Sequence, residues 1–129
     1  MIVADSDVLI DALRGGNPAA ERIRLELSTG GLATTAISVF ELRSGARSDR
    51  AAAQVETLLA PLNILSLDEQ AAEKAGAIRR ELESVGTPIS MADYLIAGIC
   101  VSRSAVLLTR NRNHFERVSG LTLGRLEGP

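Results

Sequence analysis

Cysteine, histidine and aromatic residues are scarce in this 129-residue chain. A single cysteine excludes an intrachain disulfide framework, and a single histidine argues against a histidine-rich zinc site. The one tyrosine and two phenylalanines are too few for base stacking to dominate nucleic-acid recognition. We therefore expect neither a disulfide scaffold nor a protein that binds bases mainly through aromatic side chains.

Long apolar runs are also missing. No segment reaches the roughly 18 apolar residues of a membrane-spanning helix, so no membrane association is expected. The chain opens on a strand-like run, which predicts a cytoplasmic protein without a secretion signal. Because 46% of the residues are hydrophobic, we expect residues 1–129 to form one domain with a buried core.

The charge balance is slightly acidic, with 16 acidic against 14 basic residues, which does not suggest a nucleic-acid-binding protein. All but one of the basic residues are arginine, whose guanidinium group can fork onto phosphate oxygens. Genomic base composition would explain the arginine content equally well, so composition alone leaves both interpretations open.

Apolar strand-like segments alternate with helical patterns along the whole chain. Strands are predicted at residues 1–4, 32–36, 62–67, 105–109 and 121–126. Helices are predicted at residues 7–14, 18–28, 38–46, 49–60, 68–84 and 90–104, with a short one around Phe115. This alternation predicts an α/β fold, a three-layer sandwich with a mostly parallel central sheet of four to five strands.

Three carboxylates stand at element ends that would meet on one edge of such a sheet. Asp5 ends the first strand, whereas Glu41 and Asp93 are predicted in the first turns of helices that start at Ser38 and Ser90. Converging carboxylates repel one another and lose solvation, and a divalent cation removes that cost. Hard oxygen ligands suit Mg²⁺ or Mn²⁺, so the pattern favours a metal site.

Helix capping is a simpler explanation for the same acids. Ser38 with Glu41, and Ser90 with Asp93, have the spacing of a capping box, and the helix dipole favours acids in a first turn. Asp5 could in the same way cap the first helix. Spacing alone does not decide between capping and metal binding.

Five further residues could have a role in a site or in the structure. Asn111 and the only histidine, His114, follow the fourth strand, where a site role and a surface or hinge position both fit. Asp7 and Asp11 share one helix face, on which Asp11 is a typical solvated acid and Asp7 suits a metal site or a helix start equally. Cys100 falls on an apolar helix face, which predicts a core position.

Four segments in series, IVADSDVLIDALRG, ISVFELRSGA, ISMADYLIAGIC and LLTRNRNHFERV, resemble the PIN-domain ribonucleases of the VapC toxin type. Each segment is weak alone, but their order and spacing cover nearly the whole chain. The resemblance implies a PIN-like fold and a Mg²⁺- or Mn²⁺-dependent endoribonuclease that cuts structured RNA. It also implies a toxin–antitoxin system, with a cognate antitoxin as partner and a homodimeric toxin.

The resemblance also assigns residues. The three principal acids of the family fall on Asp5, Glu41 and Asp93, which are therefore expected to be catalytic and to bind the metal. Where the family commonly supplies a fourth acid, this chain has Asn111, which we expect to position a water or a ligand while a second metal binds weakly. Asp7 replaces the more usual Asn or Ser and adds negative charge at the same place.

Contacts to RNA and to a second copy are expected from other side chains. Arg110, Arg112 and Arg117, near the fourth motif, are the candidates for RNA binding. The fourth predicted helix carries an apolar stripe that fits either a dimer interface or ordinary core packing. The stripe consists of Ala52, Val55, Leu58, Leu59 and Leu62.

Three other functions fit parts of the sequence. A haloacid-dehalogenase-type phosphatase would use Asp5 and Asp7, but it needs a later lysine, and the only lysine is Lys74 in a helix. A phospho-receiver domain also needs a late lysine that this chain lacks. A PIN-like scaffold or RNA-binding module that has lost its fourth acid is the non-enzymatic alternative, which retention of three acids opposes.

Overall fold

The computed structural model describes residues 1–127, which form five strands and seven helices. The strands are β1 (Ile2–Ala4), β2 (Leu32–Thr35), β3 (Asn63–Leu65), β4 (Val106–Leu108) and β5 (Thr122–Leu123). The helices are α1 (Ser6–Leu13), α2 (Ala19–Thr29), α3 (Ala36–Gly45), α4 (Asp49–Leu59), α5 (Glu69–Ser84), α6 (Met91–Ser102) and α7 (Arg112–Phe115). None of these helices has the length and apolar character needed to cross a membrane.

The strands form one sheet in the order β3-β2-β1-β4-β5, and every neighbouring pair is parallel. Ile2 of β1 pairs with Leu32 on one side and with Val106 on the other. The predicted parallel α/β architecture is confirmed. Because all strands run the same way, the segments that leave their carboxyl ends meet at one edge of the sheet.

Helices cover both faces of the sheet and enclose two apolar clusters. One cluster joins Val3 and Leu107 of the sheet to α5, α6 and α7, and the other joins Ala4 and Leu108 to α1, α2 and α4. Successive strand residues point to opposite faces, so β1 and β4 each contribute to both clusters. The predicted three-layer sandwich is therefore confirmed.

Several predicted details are wrong. The helix after β2 starts at Ala36, two residues before the predicted Ser38, and β5 has only two residues. Gly124 follows β5, and a Cβ added there would lie 2.7 Å from a Leu108 methyl carbon, so the buried Leu108 side chain would have to shift. Met91, the apolar first residue of α6, is 59% exposed.

The apolar stripe of α4 belongs mostly to the core. Val55, Leu59 and Leu62 are buried in the cluster shared with α1 and α2, whereas Ala52 is exposed. The core-packing alternative therefore explains most of the stripe. Cys100 is fully buried as predicted, and burial raises the pKa of its thiol to about 12.

Candidate active site

Asp5 lies at the point where β1 ends and α1 begins. Its backbone N–H donates to the Leu108 carbonyl across 2.9 Å, which aligns it with the end of β4. One carboxylate oxygen accepts from the Ser6 N–H and the other from the Thr109 hydroxyl, both at 2.8 Å. The residue is 6% exposed. Asp5 does cap α1, but its second oxygen is held by Thr109, which follows β4, and capping does not explain this contact.

Glu41 projects from α3 and has no capping role. The N-cap of this helix is Thr35, whose hydroxyl accepts from the Ser38 N–H across 3.1 Å. The capping box predicted for Ser38 and Glu41 is therefore wrong, and Glu41 lies in the second turn rather than the first. Its carboxylate accepts instead from the Ser6 hydroxyl across 3.2 Å. Ser6 thus links Glu41 to Asp5.

Asp93 lies in the first turn of α6, where the Ser90 hydroxyl accepts its N–H across 3.2 Å as predicted. The Asp93 carboxylate, however, contacts the segment after β4. Its Oδ2 atom accepts from Asn111 Nδ2 across 3.3 Å and lies 3.1 Å from His114 Nδ1. The side chain is 13% exposed. Ser90 therefore does the capping, while the Asp93 carboxylate is directed to other partners.

The segment after β4 brings Thr109, Asn111 and His114 to the carboxylates. The Thr109 hydroxyl donates to Asp5 and accepts the Asn111 N–H across 3.0 Å. Asn111 Nδ2 lies 2.9 Å from His114 Nδ1. The side chains of Asn111, His114 and Asp93 are therefore all in contact with one another. The sequence pattern fits both a site role and a surface position of His114, and it does not indicate any role for Ser6 or Thr109.

Arg110 connects this segment to α1. Its backbone N–H faces both Asp7 carboxylate oxygens at 3.2 and 3.3 Å, and its guanidinium pairs with Asp11 at 3.0 Å. Of the other two arginines proposed to contact RNA, Arg112 donates to the Gly124 carbonyl and Arg117 to the Pro88 carbonyl. Arg110 and Arg112 nevertheless line a common recess beside Thr109, and Arg117 is not among the residues that line it.

Burial raises the pKa values of Asp5, Asp7 and Glu41, and the charges of neighbouring carboxylates add to the effect. Burial, together with the charge of Asp7 and to a smaller extent that of Glu41, raises the pKa of Asp5 to about 7, against the hydrogen bonds from Thr109 and Ser6. Burial also raises the pKa of Glu41, and the charges of Asp93 and Asp7 add to that effect. The Asp7 pKa is likewise raised by burial. The four acids therefore share one region of negative potential.

The donor set fits a hard divalent cation. Within residues 1–127, no lysine or arginine forms an ion pair with Asp5, Glu41 or Asp93. In the same range, no three His, Cys, Asp or Glu side chains are gathered tightly enough to form a complete metal site. Mg²⁺ commonly keeps several waters while binding one or two carboxylates directly, so a tightly gathered set of protein ligands is not required for it to bind.

Comparison with known proteins agrees with this geometry. Residues 2–121 match the PIN-domain family. The chain is 33% identical over 121 residues to the "tRNA(fMet)-specific endonuclease VapC" of Shigella flexneri, covering 91% of each chain. It is 37% identical over 110 residues to the protein of the same name from Salmonella typhimurium, covering 82% of this chain and 83% of the other.

A solved structure supports the same assignment. The structure described as DNA-bound VapBC from Salmonella typhimurium superposes with a TM-score of 0.88 at 33% identity, and 97% of both chains is covered. The match extends over all four motif segments and over the sheet that positions them. This chain therefore belongs to the PIN-domain family and, within it, to the VapC ribonuclease toxins of toxin–antitoxin pairs.

Proposed function

We propose that the chain is a Mg²⁺- or Mn²⁺-dependent endoribonuclease that hydrolyses a phosphodiester bond in structured RNA. The observation that carries this proposal is the group of carboxylates around the buried Asp5, in which Asp5, Glu41 and Asp93 have no lysine or arginine ion-pair partner within residues 1–127. Two relatives are named as tRNA endonucleases, which makes tRNA the first substrate class to test.

In this proposal Asp5, Glu41 and Asp93 hold the cation, directly or through water. A bound divalent cation supplies a water of lowered pKa and offsets charge on the phosphoryl oxygens. Thr109 and Ser6 fix the two Asp5 oxygens, so this carboxylate is oriented before substrate arrives.

Asn111 and His114 orient the third acid. Both contact the same oxygen of Asp93, which leaves the other carboxylate oxygen free of these two contacts. Hydrogen-bond partners of this kind fix the direction of a metal-binding carboxylate. Because Asn111 donates to Asp93 and carries no charge, we propose that it positions a ligand or a water, and that a second cation would bind weakly.

The decisive experiment combines cleavage with a matched pair of variants. Purified protein is incubated with bulk tRNA in Mg²⁺, in Mn²⁺ or in EDTA, and fragments are mapped. We expect cleavage that needs the metal and that is lost in Asp93→Asn. Glu69→Gln is the control, because Glu69 also lies in the first turn of a helix but has no contact with the acids.

Two outcomes would contradict the proposal. If Asp93 only supported its helix, asparagine would serve about as well and Asp93→Asn would still cleave. If the wild-type protein bound RNA without any metal-dependent cleavage, the scaffold alternative would be correct.

We propose that the cognate antitoxin covers an apolar groove on α1, α2 and α4. The groove has a volume of about 700 Å³ and includes Leu13, Leu27 and Leu58, of which Leu13 and Leu27 are 41% and 37% exposed. Arg24 and Arg50 lie at the same groove and would suit acidic side chains of an amphipathic helix. Co-purification with the product of the neighbouring gene should be lost in Leu27→Glu and retained in Val85→Glu, which alters an exposed apolar residue elsewhere.

We further propose that residues 1–129 form one domain. We propose that two copies of this domain form a homodimer, and that the protein acts in the cytoplasm. Residues 128 and 129 lie outside the described part of the chain. The core accounts for most of the α4 stripe, so another surface must form the dimer; Phe40 on α3, 68% exposed, is available to it. Light scattering at micromolar concentration should give twice the chain mass, and a monomer would refute the dimer.

A further inference from the structure

A recess of about 460 Å³ lies beside the carboxylates, on the side of the sheet that carries α1 and α2. It is lined by Thr109, Arg110, Arg112, Arg125, Leu126 and Glu127. Three arginines and one acid thus surround it. Thr109 lines the recess and also contacts the candidate active site, because its hydroxyl donates to Asp5. The recess, called here the arginine recess, therefore adjoins the candidate active site.

Two of its arginines are held in place by only a few contacts, which for Arg112 include an ion pair with Glu116 at 3.7 Å. Arg110 Nη1 donates to Asp11 across 3.1 Å, and Arg112 Nη1 donates to the Gly124 carbonyl across 2.8 Å. A guanidinium group has five N–H donors, so each arginine keeps most of its donors for a ligand. The two side chains are 58% and 43% exposed, and such exposed ion pairs contribute little to stability. Their contacts orient the arginines without using up their donors.

Arg125 is held through its backbone. Arg22 of α2 donates to the Arg125 carbonyl across 2.6 Å, and Arg22 is itself paired with Glu26 and only 18% exposed. The next residue, Leu126, packs against the cluster beneath α1 and α2. Within residues 1–127 the Arg125 side chain forms no ion pair. A fixed backbone with an uncommitted guanidinium is suited to bind an anion.

We propose that the arginine recess binds a backbone phosphate of the RNA next to the scissile one, with Arg125 as a contact that the four motif segments do not contain. The inference rests on the proposed ribonuclease function and adds a substrate subsite to it. A phosphate accepts forked hydrogen bonds from guanidinium groups, and the recess adjoins the residues proposed to act at the neighbouring phosphate. Glu127 is the one lining group that opposes an anion.

The test measures binding without cleavage. Fluorescence anisotropy with labelled bulk tRNA is carried out in the Asp93→Asn background over a range of salt concentrations. Arg125→Gln should weaken binding roughly three- to tenfold and lower the slope of log affinity against log salt by about 0.7–0.9, the effect of one phosphate contact. Arg125→Lys should keep the slope, because the charge remains. Glu127→Gln should strengthen binding.

Controls show whether weaker binding comes from the recess itself or from the loss of any positive charge. They also distinguish failure of the subsite from failure of the ribonuclease proposal. Arg80→Gln removes an exposed arginine from α5, on the other face of the sheet, and should leave affinity and slope unchanged. If Arg125→Gln binds tRNA with the same affinity and salt slope as the parent, the subsite proposal is wrong but the ribonuclease proposal is not. An acidic protein segment would then be the alternative ligand of the recess. Absence of any tRNA binding or cleavage would overturn the ribonuclease proposal together with the subsite.

Discussion

The Thr109 hydroxyl donates to Oδ2 of Asp5 across 2.8 Å and joins residues that are 104 positions apart in the sequence. Thr109 is 1% exposed and follows β4, whereas Asp5 follows β1. Because β1 and β4 are adjacent and parallel, their ends coincide. One hydroxyl therefore ties the buried acid to the strand that delivers Asn111 and His114.

Replacing Thr109 by valine should damage both stability and activity. Valine keeps the shape but removes the donor to Asp5 and the acceptor of the half-buried Asn111 N–H. Leaving such groups unsatisfied costs about 1–3 kcal/mol. The Asp5 pKa should rise further, because the Thr109 hydrogen bond lowers it. Urea unfolding and RNA cleavage measure the two effects.

Thr109→Ser is the matched control. Serine retains the hydroxyl and loses one methyl group, which costs about 1 kcal/mol. We expect this variant to keep most of the cleavage activity. Equal loss of activity in the serine and valine variants would show that the methyl group, not the hydroxyl, matters.

Two glycines of the α5–α6 pair should respond in opposite directions to alanine. A Cβ on Gly98 would lie 2.5 Å from the Ala71 carbonyl oxygen and 2.7 Å from Ala75 Cβ, so Gly98→Ala should destabilise the fold by about 1–3 kcal/mol. Gly76 in α5 has nothing within 4 Å, and Gly76→Ala should stabilise by about 0.5–1 kcal/mol. Thermal unfolding shows whether each substitution raises or lowers the melting temperature. A stable Gly98→Ala protein would contradict the close helix packing.

The fold was predictable because its signals are local. Short apolar runs alternate with amphipathic helices, and this order allows few architectures other than a parallel sheet covered on both faces. Parallel strands then predict that Asp5 lies at the same edge of the sheet as the helix starts that carry Glu41 and Asp93. The family match removes the phosphatase and receiver alternatives.

The contacts around the acids were not predictable in the same way. Ser6 meets Glu41 over a separation of 35 residues, and His114 meets Asp93 over 21, so no local pattern records either contact. The start of α3 was misplaced because Thr35 and Ser38 are both hydroxyl residues near the strand end. Thr35 is the one with extended backbone, which lets its hydroxyl accept the Ser38 N–H.

His114 should contribute to activity rather than to stability. Its side chain is 41% exposed, but Nδ1 lies 3.1 Å from Asp93 Oδ2. Loss of a partner that orients a metal-binding carboxylate typically costs about 10- to 100-fold in activity or metal affinity. We expect His114→Ala to lose cleavage by this factor with an unchanged melting temperature. His114→Asn, whose amide nitrogen can replace Nδ1, should recover part of the loss, and full activity of the alanine variant would refute the role.

Stability without metal should fall as the pH rises from about 4 to about 7. The Asp5 pKa is 3.8 in the unfolded reference and about 7 in the fold, so the folded protein binds the extra proton in this window. Ionisation of Asp5 then costs up to roughly 4 kcal/mol above pH 7, at about 1.4 kcal/mol for each pKa unit. The raised pKa values of Asp7 and Glu41 act in the same direction. Urea unfolding in EDTA at a series of pH values measures the decline.

Asp5→Asn isolates the contribution of this one carboxyl group. The variant keeps the shape of the side chain but cannot ionise, so its stability should decline less between pH 4 and 7 than that of the wild type. Mn²⁺ should offset the decline in the wild type, since a cation binds the ionised acids, and should have little effect on the variant. Superimposable pH profiles of the two proteins in EDTA would show that Asp5 ionises without cost, and would remove the electrostatic argument for the cation.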